Sequence, residues 1–164
     1  MDNVSAFFES HPSQLKVART IMVRGISVSN GKAMCGDIEQ SDSAIARVAG
    51  VDRRVVRTTL ERISADPEMD ALFRRIKPML NMTDIASYIG CTSFDIIPTD
   101  SKVPGILSSI TANLFDAGYC IKQMLIGDDE NGRPILSVIV EGSMTPNDIA
   151  SLKNCTGVDR IVLK

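Results

Sequence analysis

Hydrophobic positions change their spacing several times along this chain, and each change marks an element. Over residues 14–24 they recur at helical steps (Leu15, Val17, Ala18, Ile21, Met22), and Gly25 closes the helix. Residues 26–40 are rich in Ser, Gly and Asn and predict a loop, with one short alternating run at 26–28 as a strand. Helical spacing returns over residues 41–63. Asp42 or Ser43 caps a helix carrying Ile45, Ala46, Val48 and Ala49, and Gly50 breaks it. Asp52 caps a second helix that buries Val55 or Val56, Leu60 and Ile63. Asp66-Pro67-Glu68 opens another with Met69, Leu72, Phe73 and Ile76, and Pro78 disturbs its end. Thr83-Asp84 starts a short helix over 85–89, stopped by Gly90. Residues 64–92 either complete a helical or winged domain or join it to the next one.

From Phe94 the pattern becomes strand-like. An apolar run over 94–97 ends at Pro98-Thr99-Asp100, and a helical stripe of Ile106, Leu107, Ile110, Leu114 and Phe115 follows Pro104-Gly105. Asp116-Ala117-Gly118 stops that helix. Residues 121–126 alternate, and the acidic stretch 127–132 holds Asn131-Gly132, a hairpin signal. The segment Pro134–Glu141 reads as a strand. Thr145-Pro146-Asn147-Asp148 opens a helix with Ile149, Ala150 and Leu152 inward, and Val158–Leu163 is a last strand. The order β-α-β-β-α-β predicts a ferredoxin-like antiparallel sheet with two helices on one face. The fold class expected is α+β: a mostly helical domain over 1–78, a helical linker over 79–92 and the βαββαβ domain over 93–164.

Composition narrows the function classes. The 164 residues are 44% hydrophobic and 23% charged, an ordinary globular balance. No apolar run approaches the roughly 20 residues of a membrane span, and the first residues lack the basic start and apolar core of a secretory signal. The expected location is cytoplasmic. Four cysteines, at 35, 91, 120 and 155, form no C-x-x-C pair and read as free thiols, so no metal or cofactor is expected. With His11 the one histidine and no phosphate-binding glycine loop, no catalytic constellation emerges, and the expectation is a protein that is not an enzyme. The acidic stretch lacks the ligand spacing of a calcium loop.

Charge is uneven. Residues 1–92 carry 12 basic against 11 acidic side chains, whereas residues 93–164 carry 6 against 9. The basic surplus has a focus: Arg53, Arg54, Arg57, Thr58 and Arg62 share the polar face of the second helix, with Ser43 at the start of the first. Ala46, Gly50 and Val56 give the small residue, turn glycine and apolar residue that two tightly crossing helices require. This run, SDSAIARVAGVDRRVVR, resembles a helix-turn-helix motif. The resemblance implies DNA contact by Ser43, Arg53, Arg54, Arg57, Thr58 and Arg62, since the first turns of a second helix enter the major groove and arginine forks to guanine or phosphate. A plain solvated basic face is the competing reading.

Residues 93–164 resemble an ACT domain, an amino-acid-sensing module. The resemblance lies in the strand FDIIPTD, the step KVPGILSSI, the turn DAGYCIKQ and the closing GVDRIVL. It implies an amino-acid effector near Gly105, touched by Asp100, Ser101, Lys102, Val103, Pro104, Gly105, Ile106 and Leu107, with Ile121 and Gln123 on the next strand. It also implies at least a homodimer. Helix-turn-helix plus ACT domain is similar to the archaeal predicted regulators of amino-acid metabolism. The implied function is a ligand-responsive transcription regulator of that metabolism. The alternative is a regulatory subunit that binds no DNA and docks on a biosynthetic enzyme of the same metabolism, which the sequence pI near 5.4 favours.

Overall fold

Two separate apolar sets build two units in the computed structural model, Met1–Leu80 and Asn81–Lys164. The structure describes residues 2–129 and 132–164. Asn131, half of the expected hairpin pair, and Glu130 lie outside the described residues.

The first unit runs α1 (Asp2–Phe7), α2 (Pro12–Val23), β1 (Ser27–Ser29), β2 (Lys32–Cys35), β3 (Ile38–Gln40), α3 (Asp42–Ala49), α4 (Arg53–Ala65) and α5 (Pro67–Phe73). Helices α2, α3 and α4 pack on one another around Val17, Ile21, Ile45, Ala46, Val56 and Leu60. Fully burying one such large side chain contributes roughly 1.5–3 kcal/mol. Val56, not Val55, takes the fully buried position, and Val48 turns out to be exposed. The cap of α3 is Ser41, one residue before the expected pair: its hydroxyl accepts from the Ala44 N–H at 3.2 Å. Asp52 caps α4, accepting from the Arg54 N–H at 2.8 Å. Between the helices Gly50 takes φ 65°, and its N–H donates to the Ala46 carbonyl, which closes α3 and allows the sharp turn.

The strand expected at 26–28 is present as β1, but the rest of residues 26–40, expected as a loop, adds two more strands. The three form an antiparallel sheet in the order β1-β2-β3, with Val28 opposite Ala33 and both buried in the helical core. The β1–β2 turn is tied to α4, because the Gly31 N–H donates to Ser64 Oγ at 2.9 Å.

The second unit begins with a 3-10 helix, Thr83–Ile89, inside the stretch read as a linker; this helix packs on the sheet that follows. The sheet is made by β4 (Cys91–Pro98), β5 (Ile121–Asp128), β6 (Pro134–Glu141) and β7 (Val158–Leu163), with α6 (Ile106–Asp116) and α7 (Pro146–Lys153) between them in the chain. Its order is β5-β6-β4-β7 and every pairing is antiparallel. The core gathers Phe94, Ile96, Ile110, Leu114, Val138 and Leu152. In α6 the buried stripe is Ile106, Ile110 and Leu114, a step of four throughout. Leu107 and Phe115, expected in that stripe, sit about 100° further round and are 41% and 79% exposed. Ala150 of α7 is likewise exposed, leaving Leu152 as the buried anchor.

A capping box starts α7. Thr145 Oγ1 accepts from the Asp148 N–H at 3.3 Å while Asp148 Oδ2 accepts from the Thr145 N–H at 3.2 Å. The hydroxyls of Thr145 and Tyr119 also donate to Asp148 Oδ2, at 2.6 and 2.7 Å. These hydrogen bonds, from Thr145 first and then Tyr119, hold the Asp148 carboxyl below the usual carboxylate range. The hydrogen bond to Asp148 raises the Tyr119 hydroxyl above its ordinary value.

Candidate functional site

Two places in the molecule combine accessible chemistry with a shaped surface. The first lies at the start of α4. Asp52 turns the chain into the helix there, so Arg53, Arg54 and Arg57 fall on its first two turns. Together with Ser41, Asp42 and Ser43 at the start of α3, and with Glu39 and Gln40 before it, they line a polar concavity of about 540 Å³. Arg57 is committed: one guanidinium nitrogen lies 2.8 Å from Asp42 Oδ2, and another donates to the Gly31 carbonyl at 3.1 Å. It therefore braces α3, α4 and the β1–β2 turn. The side chains of Arg53 and Arg54 make no hydrogen bond or ion pair among the described residues and stand in solvent.

The other two residues expected on this face behave differently. The Thr58 hydroxyl donates back to the Arg54 carbonyl at 2.9 Å, so it is turned onto its own helix. Arg62 is half-buried; its guanidinium carbon lies 5.2 Å from the Phe7 ring centre and 5.9 Å from that of Phe8. One of its nitrogens also donates to His11 Nε2 at 2.9 Å. Arg62 thus fastens α1 to α4 inside the unit. The structure brings Ser43, Arg53, Arg54 and Arg57 together, keeps Thr58 one turn along from Arg54, and sets Arg62 apart.

The second place is a cavity of about 220 Å³ at the end of β4. Six of the ten residues expected to touch an effector line it: Ser101, Val103, Pro104, Gly105, Ile106 and Leu107. Asp100 and Lys102 belong to the same loop but do not line it; Asp100 Oδ1 accepts the Lys102 N–H at 2.9 Å and so shapes the turn. Ile121 and Gln123 sit at the far end of β5, where Gln123 Oε1 accepts from the Met82 N–H at 3.0 Å. The cause is strand direction. Both β4 and β5 run antiparallel to β6, so the end of β5, not its beginning, comes beside the loop after β4. The remaining walls are therefore Ile126 of β5 and Pro134, Ile135 and Leu136 of β6, together with Pro98. Sequence reasoning missed them, although the pairing of Ile126 with Leu136 follows once β5 and β6 are taken as a hairpin.

Gly105 occupies the helix start with φ 94°, and no side chain caps α6 there. A Cβ at this position would meet nothing within 4 Å, so the backbone stands open to a neighbour. Behind the cavity wall Gly157 packs tightly: a Cβ there would lie 2.6 Å from Ile106 Cγ1. The Thr99 N–H donates to the Gly157 carbonyl at 3.0 Å, which ties the loop after β4 to the start of β7.

Among the described residues no group of three or more His, Cys, Asp or Glu is placed to hold a metal ion. Cys35, Cys91, Cys120 and Cys155 are free thiols. No helix among the described residues is long and apolar enough to cross a membrane.

No protein-family model and no curated protein matches the chain. Among solved structures it is similar to the C-terminal domain of the MgtC protein from Mycobacterium tuberculosis, with a TM-score of 0.37 and 13% identity over 45% of this chain and 84% of that one. It is also similar to the crystal structure of PH0061, with a TM-score of 0.31 and 11% identity over 93% of this chain and 90% of that one. Likenesses this distant carry no functional argument.

Proposed function

We propose that the chain is a ligand-responsive transcription regulator of amino-acid metabolism, not an enzyme, acting in the cytoplasm as at least a homodimer. In this reading α3 and α4 serve as a helix-turn-helix in a winged domain, and the second unit serves as an ACT-type module of ferredoxin-like layout. The observation that carries it is the start of α4, where Arg53 and Arg54 present uncommitted guanidiniums on the first turn of a helix crossing tightly over α3. Such a turn reaches base edges or phosphates when its helix enters a major groove. The cavity beside Gly105 supplies the effector site. An amino acid that binds one dimer arrangement better than another shifts the separation of two recognition helices, which DNA reads as a change in half-site spacing.

The test is binding of a mixed-sequence duplex, measured by fluorescence anisotropy across a salt series. The double variant Arg53→Ala/Arg54→Ala should bind about 10-fold or more weakly, and its log–log salt slope should fall by about 2. Equal affinity and slope in the two proteins would overturn the reading.

One observation favours the second reading, a regulatory subunit docking on a biosynthetic enzyme: Phe115 stands 79% exposed on α6. In that case the wild-type chain shows no DNA affinity, and Phe115→Ser abolishes co-purification of a biosynthetic enzyme.

A further inference from the structure

The cavity beside Gly105 also carries information about what fits it. Its walls are aliphatic: Val103, Ile106 and Leu107 from the loop and α6, Ile126 from β5, and Ile135 and Leu136 from β6. Among the described residues no Asp, Glu, Lys, Arg or His side chain lines it, and Ser101 supplies its one side-chain hydroxyl. A charged or amide-bearing side chain pressed against such walls sheds its hydration and gains no partner. An aliphatic chain gains in proportion to the area it covers. Size adds a second restriction. A dry apolar cavity of about 150 Å³ holds benzene, so one of about 220 Å³ corresponds to roughly nine non-hydrogen atoms. Serine is about two atoms short of that and lacks an apolar chain, and tryptophan exceeds it by about six.

We infer that this cavity binds an aliphatic acid of leucine size, its hydrocarbon chain against the Ile135–Leu136 wall and its polar head at the mouth by Ser101 and the Gly105 backbone. The inference rests on the effector reading above and narrows it to one chemical class. Leucine, isoleucine, valine and methionine belong to that class, as do the corresponding 2-oxo acids, which carry the same hydrocarbon chain without an ammonium group.

Thermal unfolding of the full chain tests this with L-leucine, L-isoleucine, L-valine, L-methionine and 4-methyl-2-oxopentanoate on one side. L-serine, L-aspartate, L-lysine and L-tryptophan stand on the other, all at millimolar concentration. At least one aliphatic acid should raise the melting temperature by about 5 °C or more, and the other four should leave it unchanged. A larger shift with leucine than with its oxo acid, or the reverse, identifies the head group and supports the inference either way. Val103→Trp, at an exposed rim position, should fill the mouth and abolish the shift while leaving the ligand-free melting temperature in place. If that variant melts early, Leu107→Asn, on the exposed side of α6, makes the same test. A shift with serine, aspartate, lysine or tryptophan alone overturns the inference and leaves the effector reading standing. No shift with any compound overturns both. A leucine shift that survives in both variants also overturns the inference, because the ligand then binds elsewhere.

Discussion

Two helix starts in this molecule solve the same problem in opposite ways. At α4, Asp52 accepts a first-turn N–H, and Ser41 does so for α3. The backbone donors there are partly used, and what remains to offer a partner is the pair of guanidiniums of Arg53 and Arg54. At α6 the chain enters through Gly105 with no side-chain cap, beside walls that are almost wholly aliphatic. The first start presents charge on a side-chain-capped frame; the second presents exposed backbone beside aliphatic walls. On the reading proposed above, the first surface would meet a polyanion and the second a small ligand with an apolar body.

The largest way to break that comparison is through the cores beneath the two starts. Leu60→Ala and Leu114→Ala each remove a fully buried side chain and should cost about 2–5 kcal/mol. Hydrogen exchange followed by mass spectrometry should show Leu60→Ala loosening amides of residues 1–80, and Leu114→Ala those of 81–164. Loss of protection throughout the chain from either change would show that the two cores are not separately built. Next come the starts themselves. Asp52→Ala should cost about 1 kcal/mol in urea unfolding through the lost cap. Gly105→Ala should cost about 1–2 kcal/mol for a different reason, its left-handed backbone, and Gly105→Asn should cost visibly less.

The arginines sharpen the contrast further. Arg62→Ala should lose about 0.5–1 kcal/mol with its place over Phe7 and Phe8. Arg53→Ala should change stability by less than about 0.5 kcal/mol, so that any effect it has on binding is not a folding effect. The smallest effect is a pH dependence confined to α7. The carboxyl of Asp148 sits lower in the folded chain than its ordinary 3.8. Its contribution is therefore fully present above the unfolded value and disappears as pH falls through the lower folded one. The raised Tyr119 hydroxyl gives the opposite limb, stability held up to its ordinary 10.0 and lost as pH climbs through the higher folded value. Melting profiles of Asp148→Asn should lack the acid limb and show a weaker alkaline one, since burial also raises the Tyr119 hydroxyl; an unchanged profile would remove the capping box from the account.

Much of the framework was legible in the residues. The steps at Ile45, Val56, Leu60 and Ile63, and the caps Asp52 and Thr145, mark helices because their spacing and chemistry are local. Of the three-stranded sheet over 27–40 only the first strand was legible: the other two are four and three residues long, too short to display alternation, and the Asn, Gly and Asp around them read as turn. Phe115 misled for a related reason, since adjacent apolar residues on a helix point 100° apart and only one can follow the stripe through Leu114. The far walls of the cavity and the partners of Arg62 needed tertiary information, because sheet order and the approach of α1 to α4 leave no periodic trace. The loop and helix start at Gly105 were visible; Ile126 and Ile135, which complete the enclosure, were not.

Gly157 never reaches the cavity, yet it stands directly behind Ile106, which does. A side chain placed there would meet Ile106 Cγ1 at 2.6 Å and would sit on a backbone held at φ 79°, so that Ile106 or its surroundings must shift. If the cavity takes the ligand proposed above, bulk at position 157 would reshape one of its walls without itself being part of the lining. A search for changed selectivity confined to the visible lining would overlook this position.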